Sequence, residues 1–243
     1  MAERARAADR ALAGAYYDRA AEFFMTATDP RRSAARARFL QAMRAIYDVA
    51  PEFVPFRSGS LPVYDLRPDR QVGVPIVMFG GFDSYVEEFF PMIAGMVDAG
   101  RRIVVFEGPG QGSALEDFGL TMIPEWEQPV AAVLDHYGLD DVAAVGISLG
   151  GGLVMRAASV EPRITHAVAF DILDDFFEVI AGQIGRGVRF RCARYSPPAP
   201  AGSSTASPTV PPPASRSRSG GCSRACTSPA LPRPMTSCAR QRR

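Results

Sequence analysis

Hydrophobic residues recur at helical spacing through the first 48 residues, which predicts helices before any strand. Asp29-Pro30 divides this region and is typical of a helix start, with Asp as the cap and Pro as the first helical residue. We expect two helices that pack on the rest of the domain; the alternatives are a lid or a homodimer interface. Their apolar stripes consist of Leu12, Tyr16, Ala20 and Phe23 in the first helix and Phe39, Met43, Ile46 and Tyr47 in the second.

From residue 61 onward, short apolar runs alternate with longer helical patterns. One helical pattern extends from Val86 to Val97 and another from Ile123 to Tyr137, where Pro129 should kink or divide the helix. Strand, helix and strand repeated in this way predict an α/β fold with a mostly parallel sheet. The predicted strands are Leu61–Leu66, Pro75–Phe79, Ile103–Phe106, Val142–Ile147 and Ala167–Ile172.

The composition changes abruptly near residue 185. All 26 acidic residues lie at or before Glu178, whereas 11 of the 27 arginines follow it. Residues 196–243 contain no acidic or aromatic residue and little large apolar surface, so we expect them to be disordered. We therefore predict an N-terminal helical segment at 1–57, a partial α/β core at 58–187 and a disordered Ser/Pro/Arg-rich tail at 188–243.

The tail has two explanations. It could be a natural basic tail that contacts nucleic acid or an anionic surface. Alternatively, it is the out-of-frame translation of a GC-rich gene, which would leave the sheet truncated without its last strands. The second explanation is favoured because the change falls inside a half-built sheet and removes acidic and aromatic residues together.

The apolar run lengths and the cysteine positions argue against a membrane protein and a secreted protein. The longest central run without a charge, Val142 to Met155, has 14 residues, fewer than the roughly 20 that a membrane helix needs. No apolar signal region follows the first residues, and none of the four cysteines precedes residue 192. We expect a cytoplasmic protein without a membrane partner, and nucleic acid is not the expected partner.

The sharpest chemical signal is Gly146-Ile147-Ser148-Leu149-Gly150, a G-x-S-x-G motif between an apolar strand and a helical run. A serine on such a turn is raised above the carboxyl edge of the sheet, and the flanking glycines allow close approach of the backbone. The N–H of Leu149 would lie at a helix start and face a developing oxyanion. The motif therefore predicts Ser148 as a nucleophile.

Two glycine-rich loops follow the neighbouring strands. Phe79-Gly80-Gly81-Phe82-Asp83 could supply the second oxyanion donor, with the N–H of Phe82 preferred and that of Gly81 next. The alternative is a plain turn in which Asp83 or Ser84 caps the next helix. Glu107–Gly112 (EGPGQG) lacks the spacing and the lysine of nucleotide loops, so we interpret it as a structural tight turn.

Four segments together resemble the 2,6-dihydroxypseudooxynicotine hydrolase-like α/β-hydrolases, a family that includes polyketide chain-shortening hydrolases. The resemblance covers roughly residues 10–187. It implies an α/β-hydrolase fold, Ser148 as nucleophile, and Phe82 and Leu149 as oxyanion donors. It also implies hydrolysis of a small-molecule ketone or ester-type acyl group without a metal or organic cofactor. The segments are GGFDSYVEEF (80–89), FEGPGQG (106–112), EWEQPVAAVLDHYGLDDV (125–142) and GISLGGGLVMRAA (146–158).

The catalytic base is not evident. A serine hydroxyl needs a base oriented by an acid, and in this fold the order is Ser, then Asp or Glu, then His. The two histidines of the sequence, His136 and His166, precede strands and should lie at the edge opposite Ser148. Asp171 follows a strand and is the candidate acid, although helix capping or solvent exposure is the simpler interpretation.

Two functions therefore stay open. The first is a serine hydrolase that cleaves a carbon–carbon or ester-type acyl bond through an acyl-enzyme and is impaired here by the missing histidine. The second is a non-catalytic α/β scaffold, or pseudoenzyme, that binds a ligand or partner and carries the basic tail as an anchor.

Overall fold

The computed structural model of the protein describes residues 1–171. The tail predicted at 188–243 and Ile172, the predicted end of the last strand, lie outside the described residues. One mixed sheet has the strand order β1-β2-β4-β3-β5-β6. Its strands are β1 (Glu52–Phe56), β2 (Gly59–Leu66), β3 (Ile76–Phe79), β4 (Ile103–Phe106), β5 (Val142–Ile147) and β6 (Ile164–Phe170).

Helices cover both faces of this sheet. The described residues form α1 (Ala2–Ala7), α2 (Ala11–Phe23), α3 (Arg32–Tyr47), a 3₁₀ turn (Val86–Phe89), α4 (Phe90–Asp98), α5 (Gly112–Glu116), α6 (Glu127–Tyr137) and α7 (Leu149–Ala158). One core, around Trp126 and Phe106, packs on one face, and a second core, around Phe39 and Phe90, packs on the other. Strands β3 and β4 are buried throughout, as expected for parallel strands covered on both sides.

The register of the parallel strands brings three loops to one edge of the sheet. Phe79, the last residue of β3, lies opposite Phe106 at the end of β4 and opposite Gly146 near the end of β5. The predicted mostly parallel α/β sheet is confirmed, with β1 and β2 as its antiparallel part. Consequently the loops that begin at Gly80, Glu107 and Ser148 are neighbours.

Four strands differ from their predictions; β2 begins at Gly59 rather than Leu61, and β3 at Ile76 rather than Pro75. Strand β1 was not predicted; it contains Pro55, and an edge strand tolerates a proline, which donates no ladder hydrogen bond. Strand β6 begins at Ile164, three residues before the predicted start.

The N-terminal region contains three helices where two were predicted. The first break lies at Asp9, which adopts a left-handed conformation with φ 55°, one that Asp tolerates better than most residues. Helix α3 begins at Arg32 rather than at Pro30. Asp29 accepts the backbone N–H of Arg31 (2.9 Å) in a separate turn before this helix. Pro129 also differs from its prediction: it lies in the first turn of α6, where a missing N–H costs nothing, and α6 begins only at Glu127.

The buried face of α2 is charged, contrary to the predicted apolar stripe. Leu12, Tyr16, Ala20 and Phe23 are all exposed, whereas Asp18, Arg19 and Glu22 are buried. Ala15 lies in the apolar core on this face, and ion pairs to Arg6 and Glu88 make the burial of Asp18 and Arg19 possible. In α3 the prediction holds for Phe39 and Met43, which are fully buried.

Within residues 1–171, no helix has both the length and the apolar character required to cross a membrane.

Candidate active site

Ser148 occupies the turn between strand β5 and helix α7. Its backbone has φ 59° and ψ −121°, a conformation that is rare for a residue other than glycine and costs about 1–3 kcal/mol. Its hydroxyl does not cap the helix, and its own N–H donates to the carbonyl of Phe170 (2.9 Å). The surrounding fold therefore holds Ser148 in a strained turn with its hydroxyl unused by the helix.

Leu149 is the first residue of α7, so its N–H has no partner one turn earlier within the helix. Glycines on both sides make this turn sterically feasible. A Cβ on Gly150 would lie 2.6 Å from the carbonyl oxygen of Gly80 and 3.1 Å from that of Phe79. The start of α7 therefore lies directly against the end of β3.

The loop after β3 passes beside the serine. A Cβ on Gly81 would lie 2.9 Å from the Cβ of Ser148 and 3.1 Å from its Oγ. The N–H of Gly81 donates to the hydroxyl of Ser84 (2.9 Å), whereas Phe82 is half exposed at the rim of the cavity described next. The structure thus brings Gly81, Phe82, Ser148 and Leu149 to one edge of the sheet.

A cavity of about 290 Å³ opens over Ser148. Ile147 and the loop after β3 form one side, and Arg19 and Phe23 of helix α2 form the other. A second cavity, of about 330 Å³, shares Arg19, Phe23 and Phe82 with the first and continues toward α5. The two cavities together provide space for a small organic molecule beside the serine hydroxyl.

Glu107 is a buried carboxylic acid at the same edge, directly after β4. Its two oxygens accept the backbone N–H of Val86 (3.2 Å) and of Ser113 (2.5 Å). Burial raises the pKa of Glu107 far above its usual range, and the charge of Glu87 raises it further, while the hydrogen bonds from Ser113 and Val86 oppose both effects.

Gln111 connects the loop that follows β4 to the loop that follows β3. Its Nε2 donates to the carbonyl of Gly80 (2.7 Å), and its Oε1 accepts the N–H of Gly108 (3.0 Å). The EGPGQG turn therefore holds the loop after β3 in place, in keeping with the structural role expected for it.

Neither histidine lies at this edge. His166 pairs with Ala143 near the start of β5, whereas Ser148 follows the pair formed by Ile147 and Phe170. Five steps along the strand separate Ala143 from Ser148, about 17 Å at roughly 3.3 Å per residue.

His136 lies at the end of α6, where its Nε2 is 2.7 Å from Oε1 of Glu52. Asp171 is the described acid nearest the carboxyl end of β6; it follows Phe170 directly, has φ 66° and is exposed.

The contacts that Arg19, Glu107 and Gln111 make at this site were not predicted from the sequence. For Glu107 a signal was present, because a carboxylate directly after four apolar strand residues predicts a buried acid at the carboxyl edge. Arg19 gave no local signal, since its contacts outside α2 are made by residues more than 60 positions away.

A family model for the alpha/beta hydrolase fold matches residues 74–206, more than half of the chain. The chain belongs to the α/β-hydrolase family. Among solved structures, the 2,6-dihydroxy-pseudo-oxynicotine hydrolase is similar, with a TM-score of 0.54 and 27% identity over 67% of this chain and 51% of that one.

Fungal members of the family are similar in sequence. Hydrolase ORFZ of Pyricularia oryzae is 34% identical over 206 residues, which cover 72% of this chain and 48% of the relative. The 20-hydroxy-prefusarin hydrolase of Gibberella moniliformis is 35% identical over 192 residues, covering 69% and 46%. The chain thus spans about half the length of these curated relatives.

Proposed function

We propose that Ser148 is the nucleophile of a hydrolase that cleaves a carbon–carbon bond beside a ketone, or an ester-type acyl bond, through an acyl-enzyme. The observation that carries the proposal is the strained turn of Ser148, whose hydroxyl lies against Gly81 and below a cavity. The relatives are named for hydrolysis of 20-hydroxy-prefusarin and 2,6-dihydroxy-pseudo-oxynicotine. For this chain we propose a small-molecule ketone or ester.

In this reaction the Oγ of Ser148 attacks the carbonyl carbon while its proton passes to a base. The carbonyl oxygen becomes an oxyanion, which accepts the N–H groups of Leu149 and Phe82. Phe82 is the preferred donor, as the resemblance to the family implies, and Gly81, whose N–H donates to Ser84, is the alternative. When the tetrahedral intermediate collapses, the bond to the leaving carbon or oxygen breaks, that atom takes a proton, and water then hydrolyses the acyl-enzyme.

We further propose that turnover by this chain is low because neither His136 nor His166 reaches Ser148. Asp171 is the proposed acid, since it follows the strand that pairs with the serine turn. An oxyanion site without a complete triad retains roughly 10³–10⁴-fold catalysis over water. The displaced histidines also favour a second candidate function, a scaffold that binds a ligand in the cavity without turnover.

The test is chemical rescue of the missing base. Added imidazole should raise both ester hydrolysis and fluorophosphonate labelling of the wild-type chain by about tenfold or more, because a general base of suitable pKa contributes up to 10²–10⁴-fold. Ser148→Ala is the matched control and should give only the reaction of imidazole in solution. Mass spectrometry should place the label on Ser148.

Label on another residue, or equal rescue of Ser148→Ala, would refute the nucleophile. Ligand binding in the cavity without any rescue would support the scaffold instead.

A further inference from the structure

Helix α2 buries charge toward the serine turn. Arg19 is 6% exposed, and the neighbouring Glu22 is also buried. A buried guanidinium is costly unless it is paired and hydrogen-bonded. The contacts that compensate for burial of Arg19 therefore indicate what this side chain holds in place.

All three kinds of nitrogen in the Arg19 guanidinium are engaged. Nε lies 2.7 Å from Oε1 of Glu88, and Nη1 lies 2.5 Å from Oε2 of Glu22. Nη2 donates to the backbone carbonyl of Asp83, and the group also lies over the ring of Tyr85, 5.1 Å from its centroid. Two of these contacts fix the side chain, and the contact to Asp83 fixes the main chain of the loop.

Residues 83–88 continue directly from the loop that passes the serine. The carboxylate of Glu88 accepts the N–H of Tyr85 (2.8 Å), and the hydroxyl of Ser84 accepts the N–H of Gly81 (2.9 Å). Gly81 in turn lies against Ser148. A continuous set of contacts therefore joins Arg19 on the N-terminal helix to the serine turn.

We propose that Arg19 is a positioning residue for the oxyanion loop, residues 80–83, and that helix α2 thereby completes the active site. The inference rests on the proposed function, because it assigns the Phe82 N–H the role of oxyanion donor. Arg19 fixes the carbonyl of Asp83, the residue next to Phe82, so the orientation of the Phe82 N–H depends on this contact. Each nitrogen of the guanidinium has a protein acceptor, so we assign Arg19 the role of holding the loop rather than that of binding the substrate.

Arg19→Lys and Arg19→Ala are the test variants. Lysine keeps the positive charge beside Glu22 and Glu88, so the fold is retained, but its ammonium cannot serve three acceptors in a planar fork. The matched control is Arg38→Met. This variant removes the ion pair between Arg38 of α3 and Asp18 of α2 (3.1 Å), and Arg38 does not contact the loop.

Two measurements are made on each variant. One is the fluorophosphonate labelling of Ser148 at a fixed imidazole concentration. Its dependence on the fluorophosphonate concentration gives a limiting rate and a half-saturating concentration of fluorophosphonate. The other is amide hydrogen exchange of the peptides that cover residues 80–88. For both Arg19 variants we expect the limiting rate to fall roughly 10–100-fold, below the 10²–10³-fold lost with an entire oxyanion donor.

The half-saturating concentration should stay within about twofold of wild type, as expected when an interaction acts only in the transition state. Exchange of the loop amides should rise. Because Arg19 lines both cavities, guanidinium ion at non-denaturing concentration should partly restore labelling of Arg19→Ala.

Three results would overturn the proposal: faster loop exchange with an unchanged limiting rate, an equal loss in Arg38→Met, or a loss confined to the half-saturating concentration. Failure of the wild-type chain to label with imidazole would instead refute the proposed function. The exchange data would then still report whether Arg19 holds the loop.

Discussion

At the carboxyl edge of the sheet Glu107 is buried and bonded to the backbone, whereas at the amino edge His136 is exposed to water. Glu107 at the first edge accepts two backbone N–H groups and is buried. His136 at the second edge pairs with the exposed carboxylate of Glu52. The two titratable side chains therefore differ in their partners: Glu107 is bonded to the main chain, and His136 to another exposed side chain.

This difference follows from strand direction. Residues that follow parallel strands share one edge and those that precede them share the other, and ligands of α/β sheets bind outside the carboxyl ends. Ser148 follows β5, whereas His136 and His166 lie near the starts of β5 and β6. The comparison teaches that Ser148 and the loop after β3 are brought together at the carboxyl edge without either histidine.

The largest expected effect on stability comes from a steric clash at the carboxyl edge of the sheet. In Gly146→Ala the new Cβ would meet the backbone carbonyl of Gly150 and lie 2.9 Å from the Cβ of Val154. Because that contact is with backbone, we expect a loss of about 3 kcal/mol or more in the free energy of unfolding. The measurement is urea unfolding followed by the fluorescence of Trp126, the one tryptophan of the chain, which is buried.

Gly95→Ala is the matched control. A Cβ at Gly95 meets nothing within 4 Å, and Gly95 lies inside α4, so alanine should raise the stability by up to about 1 kcal/mol. Equal unfolding midpoints for the two variants would contradict the close approach of α7 to β5.

The edges also differ in how far they could be predicted from sequence. The turn at Ser148 was predictable because its signals are adjacent: an apolar strand, flanking glycines and a helical run. The positions of both histidines were predictable for the same reason, since each lies near the start of a strand. By contrast, Glu107 was interpreted as part of a turn; the apolar strand before it signals a buried acid, but one of its two donors, Val86, lies 21 residues away.

Helix α2 shows the limit of periodicity. Apolar spacing placed Tyr16 and Phe23 inward, but the buried face contains Arg19 and Glu22. Charged residues are normally assigned to the solvent, but Arg19 and Glu22 pair with each other, and Arg19 also pairs with Glu88. Glu88 is 69 positions from Arg19, so the spacing within α2 does not predict this contact.

A smaller effect is expected from the titration of Glu107. The folded state raises its pKa from about 4.5 to about 8, so between these values the unfolded chain releases a proton that the folded chain keeps. The contribution of the protonated acid is complete below the unfolded pKa and is lost as the pH rises to about 8. The free energy of unfolding should therefore decrease with pH across this window.

Glu107→Gln should flatten this slope, measured by urea unfolding at several pH values. It should also cost about 1–2 kcal/mol at pH 5, because an amide nitrogen cannot accept one of the two backbone N–H groups. Glu3→Gln, which removes an exposed carboxylate from α1, should keep the wild-type slope. A wild-type slope in Glu107→Gln would mean that another group carries the pH dependence.

The smallest effects are expected at the amino edge, and they test the comparison most directly. His136→Gln removes a partially exposed pair with Glu52, and His166→Gln removes a ring whose Nδ1 lies 3.0 Å from the hydroxyl of Thr165. Exposed pairs of this kind contribute at most about 1 kcal/mol. Because both rings lie about a strand length from the serine turn, imidazole-assisted labelling of Ser148 should stay within about twofold of wild type. A tenfold loss of labelling in His166→Gln, with the fold intact by Trp126 fluorescence, would contradict the register of β6 and would place the base at the carboxyl edge after all.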